Sequence, residues 1–483
     1  MNINSIFKKV INSYFLTFFL LLLAFFLRFY KFDTLGFWGD EYLTFWNSEP
    51  LHTYNEVFEK TIKSGDLVPP FYYYILNLYN HLLDYTAYSI RFFHIFFGVL
   101  SLVIVFFISK FLLSKPSINL VIFLMGFNTF LIWASTEARV VSFALFFHLI
   151  LIALFSRIIK NLNLKVSFLE IIVLFFFNIL VLTIHPLTIV IVLAQIFFLL
   201  IMIRKKKTES NKKIFIYIFF IFLSCIIYIL INKEFFIWSL NGTRLNHKQL
   251  TLNFFLGLNF KHFFTSYILG FINLIIIYLS MWRLKKNIFE NLHILFLLII
   301  FIFTYGFIIF GTILFTGFNG QKEWAYLVPI ILIINIYYLT KVKKNFLSKI
   351  IVVLIVLYTP INYIQTINNP QVRKPDMPGL ISTINKSDVD YVVSQNYVYF
   401  DKYLRNGYQN ILKKEIIYED RLANLKSDFW YLCLDLVWVQ EKGSYYDEIY
   451  NCSPKTDVTK RFKRFESLKI NGFVITKFKL INK

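Results

Sequence analysis

Four short segments of the chain carry the side chains that can do acid–base or anion-binding chemistry. Asp40 and Glu41 are adjacent in Gly36-Phe37-Trp38-Gly39-Asp40-Glu41-Tyr42. Glu137 and Arg139 stand in Ser135-Thr136-Glu137-Ala138-Arg139, and His185 stands in Thr183-Ile184-His185-Pro186. Lys322 and Glu323 open Lys322-Glu323-Trp324-Ala325-Tyr326. A carboxylate can take the proton of an attacking hydroxyl. Arginine and lysine can hold a phosphate and the charge that develops on it. Each segment also has an ordinary reading. The acid pair can be a solvated loop with Trp38 as an interfacial anchor. Glu137 and Arg139 can form a local ion pair at a helix cap, His185 can end a helix before proline, and Lys322 can be an interfacial cation. Arg91 and His94 open an apolar run and suit packing or headgroup contact; His247, Lys261 and His262 read as interfacial surface. What decides between these readings is whether the surrounding elements bring the four segments to one side.

Those elements are membrane helices. The 483 residues are 57% hydrophobic and 20% aromatic, with a mean hydropathy of +0.60. A soluble fold cannot bury that much apolar surface, whereas a bilayer acts as its solvent. A span needs about 17–25 apolar residues to cross the hydrocarbon core. Eleven runs qualify: 10–27, 91–109, 118–134, 140–156, 166–183, 187–203, 214–231, 263–281, 293–315, 324–340 and 346–363. Lys8 and Lys9 precede the first and no small-residue cleavage site follows it, so it reads as an uncleaved anchor.

Charge sets the orientation. With the N-terminus inside, Lys110 and Lys115, then Arg157, Lys160 and Lys165, then Arg204 to Lys207 with Lys212 and Lys213, then Arg283, Lys285 and Lys286, and finally Lys341, Lys343 and Lys344 all fall in cytoplasmic loops. That is the positive-inside pattern, and it accounts for the net charge of +22 without nucleic acid. The four chemistry-bearing segments then share the outer side. Within the first outer loop, the segment after Val68-Pro69-Pro70 reads as a juxtamembrane or re-entrant helix with a tyrosine-rich face.

The expected fold is therefore an all-α polytopic membrane module over 1–363, followed by a linker and a small extracytoplasmic α/β domain over 364–483. Pro370, Pro375 and Pro378 mark the linker. The stretches at Asp390 to Ser394 and Phe429 to Leu434 alternate as strands do. Of three cysteines, Cys225 lies in an apolar run; Cys433 and Cys452 lie in the tail, where an outer location permits a disulfide. His94, His148, Glu170, His293 and Lys349 all lie toward span ends. An ion-coupled transporter concentrates ionisable groups at the midplane, so a flippase is the weaker alternative. An outer-face polysaccharide polymerase or ligase is another.

The motifs resemble those of the multi-pass GT-C glycosyltransferases related to dolichyl-phosphate-mannose protein mannosyltransferases and lipid A aminoarabinose transferases. Leu27-Arg28-Phe29-Tyr30 leading to Trp38-Gly39-Asp40-Glu41 is similar to their first helix and acidic pair. Pro69-Pro70-Phe71-Tyr72-Tyr73, Arg91, Thr136-Glu137-Ala138-Arg139 and Ile184-His185-Pro186 follow in the family's order. One departure concerns the late outer loop. Relatives carry Arg-Tyr-Leu-x-Pro where this chain has Ala325-Tyr326-Leu327-Val328-Pro329, and Lys322 is placed to supply the missing cation.

The resemblance implies a sugar donor on polyprenyl phosphate and inverting transfer to an envelope acceptor, whether lipopolysaccharide, another glycan, a lipid or a protein. It implies Asp40 as general base, with Glu41 orienting the acceptor or the loop or sharing that role. Glu137 would position the sugar or fix Arg139. Arg139 and Lys322 would contact phosphate, and His185, Tyr326 and Arg91 complete the substrate-binding set. No cofactor is required. A divalent ion between Asp40 and Glu137 is compatible with carboxylate ligands, but no ligand spacing demands one.

Overall fold

The computed structural model describes residues 14–30, 39–161, 168–205, 210–242, 263–284, 291–314, 322–341, 346–368, 377–394, 412–417, 419–434, 460–470 and 473–481. The chain divides into two compact units. One comprises residues 1–30, 51–78 and 92–364; the other comprises 31–50, 79–91 and 365–483.

Helices, most of them apolar, dominate the first unit. They are α1 (Tyr14–Phe29), the amphipathic α3 (Tyr54–Ser64), most of α4 (Pro70–Leu82) and most of α5 (Ala87–Ser109). Then come α6 (Lys115–Phe127), α7 (Thr129–Thr136), α8 (Val140–Asn161), α9 (Phe168–Ile184), α10 (Thr188–Lys205), α11 (Ser210–Ile231) and α12 (Lys233–Gly242). The last are α13 (Tyr267–Leu284), α14 (Leu292–Leu314), a 3-10 turn (Glu323–Tyr326), α15 (Val328–Lys341) and α16 (Phe346–Asn368). The second unit holds α2 (Gly39–Asn47) between the first two of these in sequence.

Among the described residues, five helical stretches are long and apolar enough to cross a membrane, six if α6 and α7 form one span. Four further apolar helices are shorter, including α1, α9 and the stretch Val352–Ile367. The chain is a multi-pass membrane protein, but length alone does not establish eleven crossings.

The run expected as one straight helix over 118–134 is broken. α6 and α7 meet at 58° across Asn128. The cause is the asparagine side chain. It caps α7 by accepting the Leu131 N–H at 2.8 Å, and its amide donates to the Phe263 carbonyl at 3.1 Å. Both bonds need a chain that leaves the α6 axis.

Close approach fixes other contacts. Gly98 on α5 faces Ser135 on α7, and a Cβ at position 98 would lie 2.5 Å from the Ser135 Oγ. Beside it the Arg28 guanidinium is fully buried. Its Nε donates to Ser135 Oγ at 3.1 Å, and its Nη1 donates to the Ala24 and Gly126 carbonyls at 3.0 and 3.3 Å. The buried guanidinium thus finds acceptors on two helices, as an apolar interior requires. Aromatic rings fill the space below: Phe143 packs on Phe93, Phe97 and Phe147 at centroid separations of 5.3, 4.7 and 4.9 Å.

In the second unit, α17 (Met377–Lys386) precedes a five-stranded sheet. Its strands are β1 (Tyr391–Ser394), β2 (Glu415–Ile417), β3 (Phe429–Leu434), β4 (Phe462–Ile470) and β5 (Phe473–Leu480), ordered β2-β1-β3-β5-β4. β1 runs parallel to β2 and β3, with Val392 opposite Ile416 and Trp430. β5 runs antiparallel to β3 and β4. Val392, Val393, Trp430, Tyr431 and Ile475 are buried in it. The two strands expected from sequence alternation are β1 and β3. Cys452, His247, Lys261 and His262 lie outside the described residues, so the cysteine pairing is not placed.

Candidate active site

Helix ends converge in the first unit. α3 stops at Gly65, whose φ of 72° is the left-handed conformation that caps a helix without a Cβ penalty. The chain then turns at Asp66, which accepts the Val68 N–H at 3.2 Å, and enters α4 at Pro70. This turn aims the Asp66 carboxylate at Arg139, which lies between α7 and α8. The pair is two-pronged: Arg139 Nη1 donates to Oδ2 at 2.6 Å and Nη2 to Oδ1 at 3.3 Å. Tyr73, one turn into α4, donates its hydroxyl to Oδ2 at 2.6 Å. Burial disfavours the charged form of Asp66, but the Arg139 charge and the three donors outweigh it and hold the carboxyl below the usual range. Burial, with the Asp66 charge second, pushes the Tyr73 hydroxyl well above its ordinary value, so it stays a donor.

A second pair lies on the other side of the same loop. Glu137, wholly buried, meets Lys322 at 3.2 Å. Lys322 precedes the 3-10 turn that buries Trp324 and Tyr326. His185, between α9 and α10, closes the cluster: its ring lies 5.4 Å from that of Tyr326, and the latter 4.6 Å from His148. Burial and then the nearby Arg139 charge pull the His185 imidazole down to about 4, so it is neutral at physiological pH. Its Nδ1 accepts the Leu187 N–H at 3.3 Å, which places the proton on Nε2. On α4 and α5, Tyr72 and His94 share a buried hydrogen bond of 2.6 Å.

The second unit holds the acidic pair. Asp40 and Glu41 occupy the first turn of α2, where backbone N–H groups favour negative charge. They differ sharply in setting. Asp40 is half-buried, whereas Glu41 and Arg91 are both fully buried and paired at 3.1 Å. The Arg91 Nε and Nη2 both also reach Glu41 Oε1, each at 3.3 Å. Asn80 donates to the Ser48 carbonyl at 2.8 Å and Tyr85 to the Phe45 carbonyl at 2.6 Å, so α2 is tied at both ends.

The structure gathers Glu137, Arg139, His185, Lys322 and Tyr326 in one cluster of the first unit. Two pairings were not legible in the sequence. Glu137 pairs with Lys322, and Asp66 pairs with Arg139. Arg91 is buried and paired with Glu41 inside the second unit. Sequence reasoning misses Asp66. Its only local signal is a lone acid between the helix-ending Gly65 and Pro69-Pro70. Among the described residues no three His, Cys, Asp or Glu side chains are grouped to hold a metal ion.

No protein-family model matches the chain, and no curated protein matches it by sequence. Solved structures do. ArnT from Cupriavidus metallidurans in the apo state aligns over 95% of this chain and 97% of its own, at 10% identity and a TM-score of 0.52. The same protein bound to undecaprenyl phosphate aligns over the same shares at 11% identity and a TM-score of 0.49. The Archaeoglobus fulgidus oligosaccharyltransferase tethered to an acceptor peptide aligns over 98% of this chain and 75% of its own, at 11% identity and a TM-score of 0.50. The chain shares its overall fold with apo ArnT and with the peptide-tethered oligosaccharyltransferase.

Proposed function

We propose that this protein is a membrane glycosyltransferase that moves a sugar from a polyprenyl-phosphate donor to an envelope acceptor at the outer face of the membrane. The observation that carries the reading is the cluster around Arg139 and Lys322. The ends of α4, α7, α8, α9 and α10 and the 3-10 turn meet there, two cations are held on buried carboxylates, and a neutral histidine stands beside them. Cations fixed in a weakly solvated place suit a phosphate leaving group, because they need little reorganisation when charge develops. The GT-C fold and the order of the motifs supply the rest.

In the proposed reaction an acceptor hydroxyl attacks the anomeric carbon from the face opposite the phosphate. Asp40, half-buried at the first turn of α2, takes the hydroxyl proton. The glycosidic C–O bond breaks as the new one forms, the configuration inverts, and the electron pair leaves on the lipid phosphate. That phosphate is anionic when it departs, so Arg139 and Lys322 stabilise it and no second acid is needed, in contrast to glycoside hydrolysis. Glu41 serves by anchoring α2 to Arg91, which is the loop-orienting role among those expected of it. Glu137 holds Lys322 in place, and His185 and Tyr326 line the sugar side. The reaction so written draws on no cofactor. Membrane orientation follows the loop charges, with the N-terminus cytoplasmic and the α/β domain outside.

Mass spectrometry of envelope glycolipids, glycans and proteins with and without the protein tests this. The expected result is an acceptor heavier by one sugar only when the protein is present. Identical profiles, with labelled donor unconsumed in the same membranes, would reject it.

A further inference from the structure

Beside the His185–Tyr326 contact the first unit has a small cavity between α8, α10, α14 and the start of α15. Its wall is mostly leucine and isoleucine, with three polar side chains: His148, Thr304 and Tyr326. All three residues are more than nine-tenths buried. The His148 Nδ1, Thr304 Oγ1 and Tyr326 hydroxyl reach no protein partner. Buried polar atoms in native proteins are almost always satisfied, by protein or by ordered water.

The tautomer of His148 can be read from its neighbours. The Thr188 hydroxyl gives its hydrogen to the Val181 carbonyl at 3.0 Å. Its 2.7 Å contact with His148 Nε2 must therefore be donated by the imidazole. A neutral ring with its proton on Nε2 presents a bare acceptor at Nδ1. Thr304 and Tyr326 each carry a hydroxyl that can donate or accept. The cavity thus offers one obligate acceptor and two hydroxyls, and it leaves about 10 Å³ for the centre of a water-sized sphere. One water needs about that room and about three polar partners.

We propose that this cavity is a hydration site holding a single water, which donates to His148 Nδ1 and bridges the Thr304 and Tyr326 hydroxyls. The water completes a chain from Val181 through Thr188 and His148 to Tyr326. It fixes the Tyr326 ring against His185, and so stiffens one wall of the cluster around Arg139. The site is independent of the transferase reading, since it rests on packing and hydrogen-bond geometry alone.

X-ray radiolytic labelling of the full-length protein in nanodiscs tests the proposal, because a bound water generates hydroxyl radical where it sits. Tyr326 and His148 should label at least tenfold faster than Tyr72, which is equally enclosed but satisfied by His94. Thr304→Val keeps the side-chain shape and removes one partner, and it should slow Tyr326 labelling severalfold. Labelling of Tyr326 and His148 at the Tyr72 rate would overturn the proposal. So would an unchanged Tyr326 rate in Thr304→Val. If that variant fails to fold, an electron-microscopy map of the unmodified protein decides. A single peak within hydrogen-bonding distance of the three atoms supports the site. Density continuous with an acyl or detergent chain, or none at a resolution that shows waters elsewhere, refutes it.

Discussion

Asp66→Asn is the substitution whose outcome the structure constrains most tightly. Asparagine keeps the shape of the side chain: its Oδ1 still accepts the Val68 N–H, and the Tyr73 hydroxyl turns to accept from the Nδ2 that replaces Oδ2. What is lost is the charge facing Arg139 at 2.6 Å. Removing one member of a buried ion pair costs about 3–5 kcal/mol, because the other charge is left uncompensated. The Arg139 side chain keeps 12% exposure, which lets water solvate part of it and puts the cost near the lower bound, about 3 kcal/mol. That is about a hundredfold in the equilibrium for opening this turn. Hydrogen exchange on the full-length protein in nanodiscs reads it directly. Peptides covering 60–75 should exchange about a hundredfold faster in Asp66→Asn, while peptides from α14 stay unchanged. The pH dependence has a fixed sign. A carboxyl held below its unfolded value contributes stability above about pH 4, and that contribution falls away as pH drops through the folded value. The variant should lack this acid limb. Unchanged exchange in 60–75, with the acid limb intact, would refute the claim that Asp66 anchors Arg139.

Three further outcomes follow from the geometry. Glu41→Leu alone removes the buried carboxylate paired with Arg91 and should cost about 3–5 kcal/mol, whereas Glu41→Leu with Arg91→Met should recover most of it; thermal unfolding of both variants checks this. Gly98→Ala drives a methyl group into Ser135, which is held by Arg28 and the Leu131 carbonyl, so it should destabilise by about 1–3 kcal/mol in the same assay. His185 titrates near 4 in the folded protein against 6.5 when exposed. The unfolded chain takes up that proton more readily, so the His185 contribution is complete above about pH 6.5 and is lost as pH falls toward 4. His185→Gln should flatten the stability profile in that window, below which the Asp66 limb takes over.

Helices and pairings differ in how far the sequence discloses them. Hydropathy is a local property, so runs such as 140–156 and 214–231 lie within α8 and α11, and the loop charges lead to the expectation that Glu137, Arg139, His185 and Lys322 share one side. Partners are not local. Asp66 and Arg139 are 73 positions apart, and Glu41 and Arg91 are 50 apart. Nothing near Glu137 says that Lys322 pairs with it. The bend at Asn128 is hidden for the same reason. Asparagine is tolerated inside a helix, and the Phe263 carbonyl that its amide reaches at the break is 135 positions away. The acidic pair is legible as a pair but not as two different environments, since only packing separates half-buried Asp40 from enclosed Glu41.

The central claim, that Asp40 and Arg139 act on a lipid-phosphate sugar, is tested most directly by sugar release from labelled polyprenyl-phosphate sugar in membranes containing Asp40→Asn or Arg139→Ala. The account predicts a loss of about 10²–10⁴-fold in turnover for Asp40→Asn with donor binding retained. For Arg139→Ala it predicts a loss in both binding and turnover. Wild-type release by both variants would contradict it.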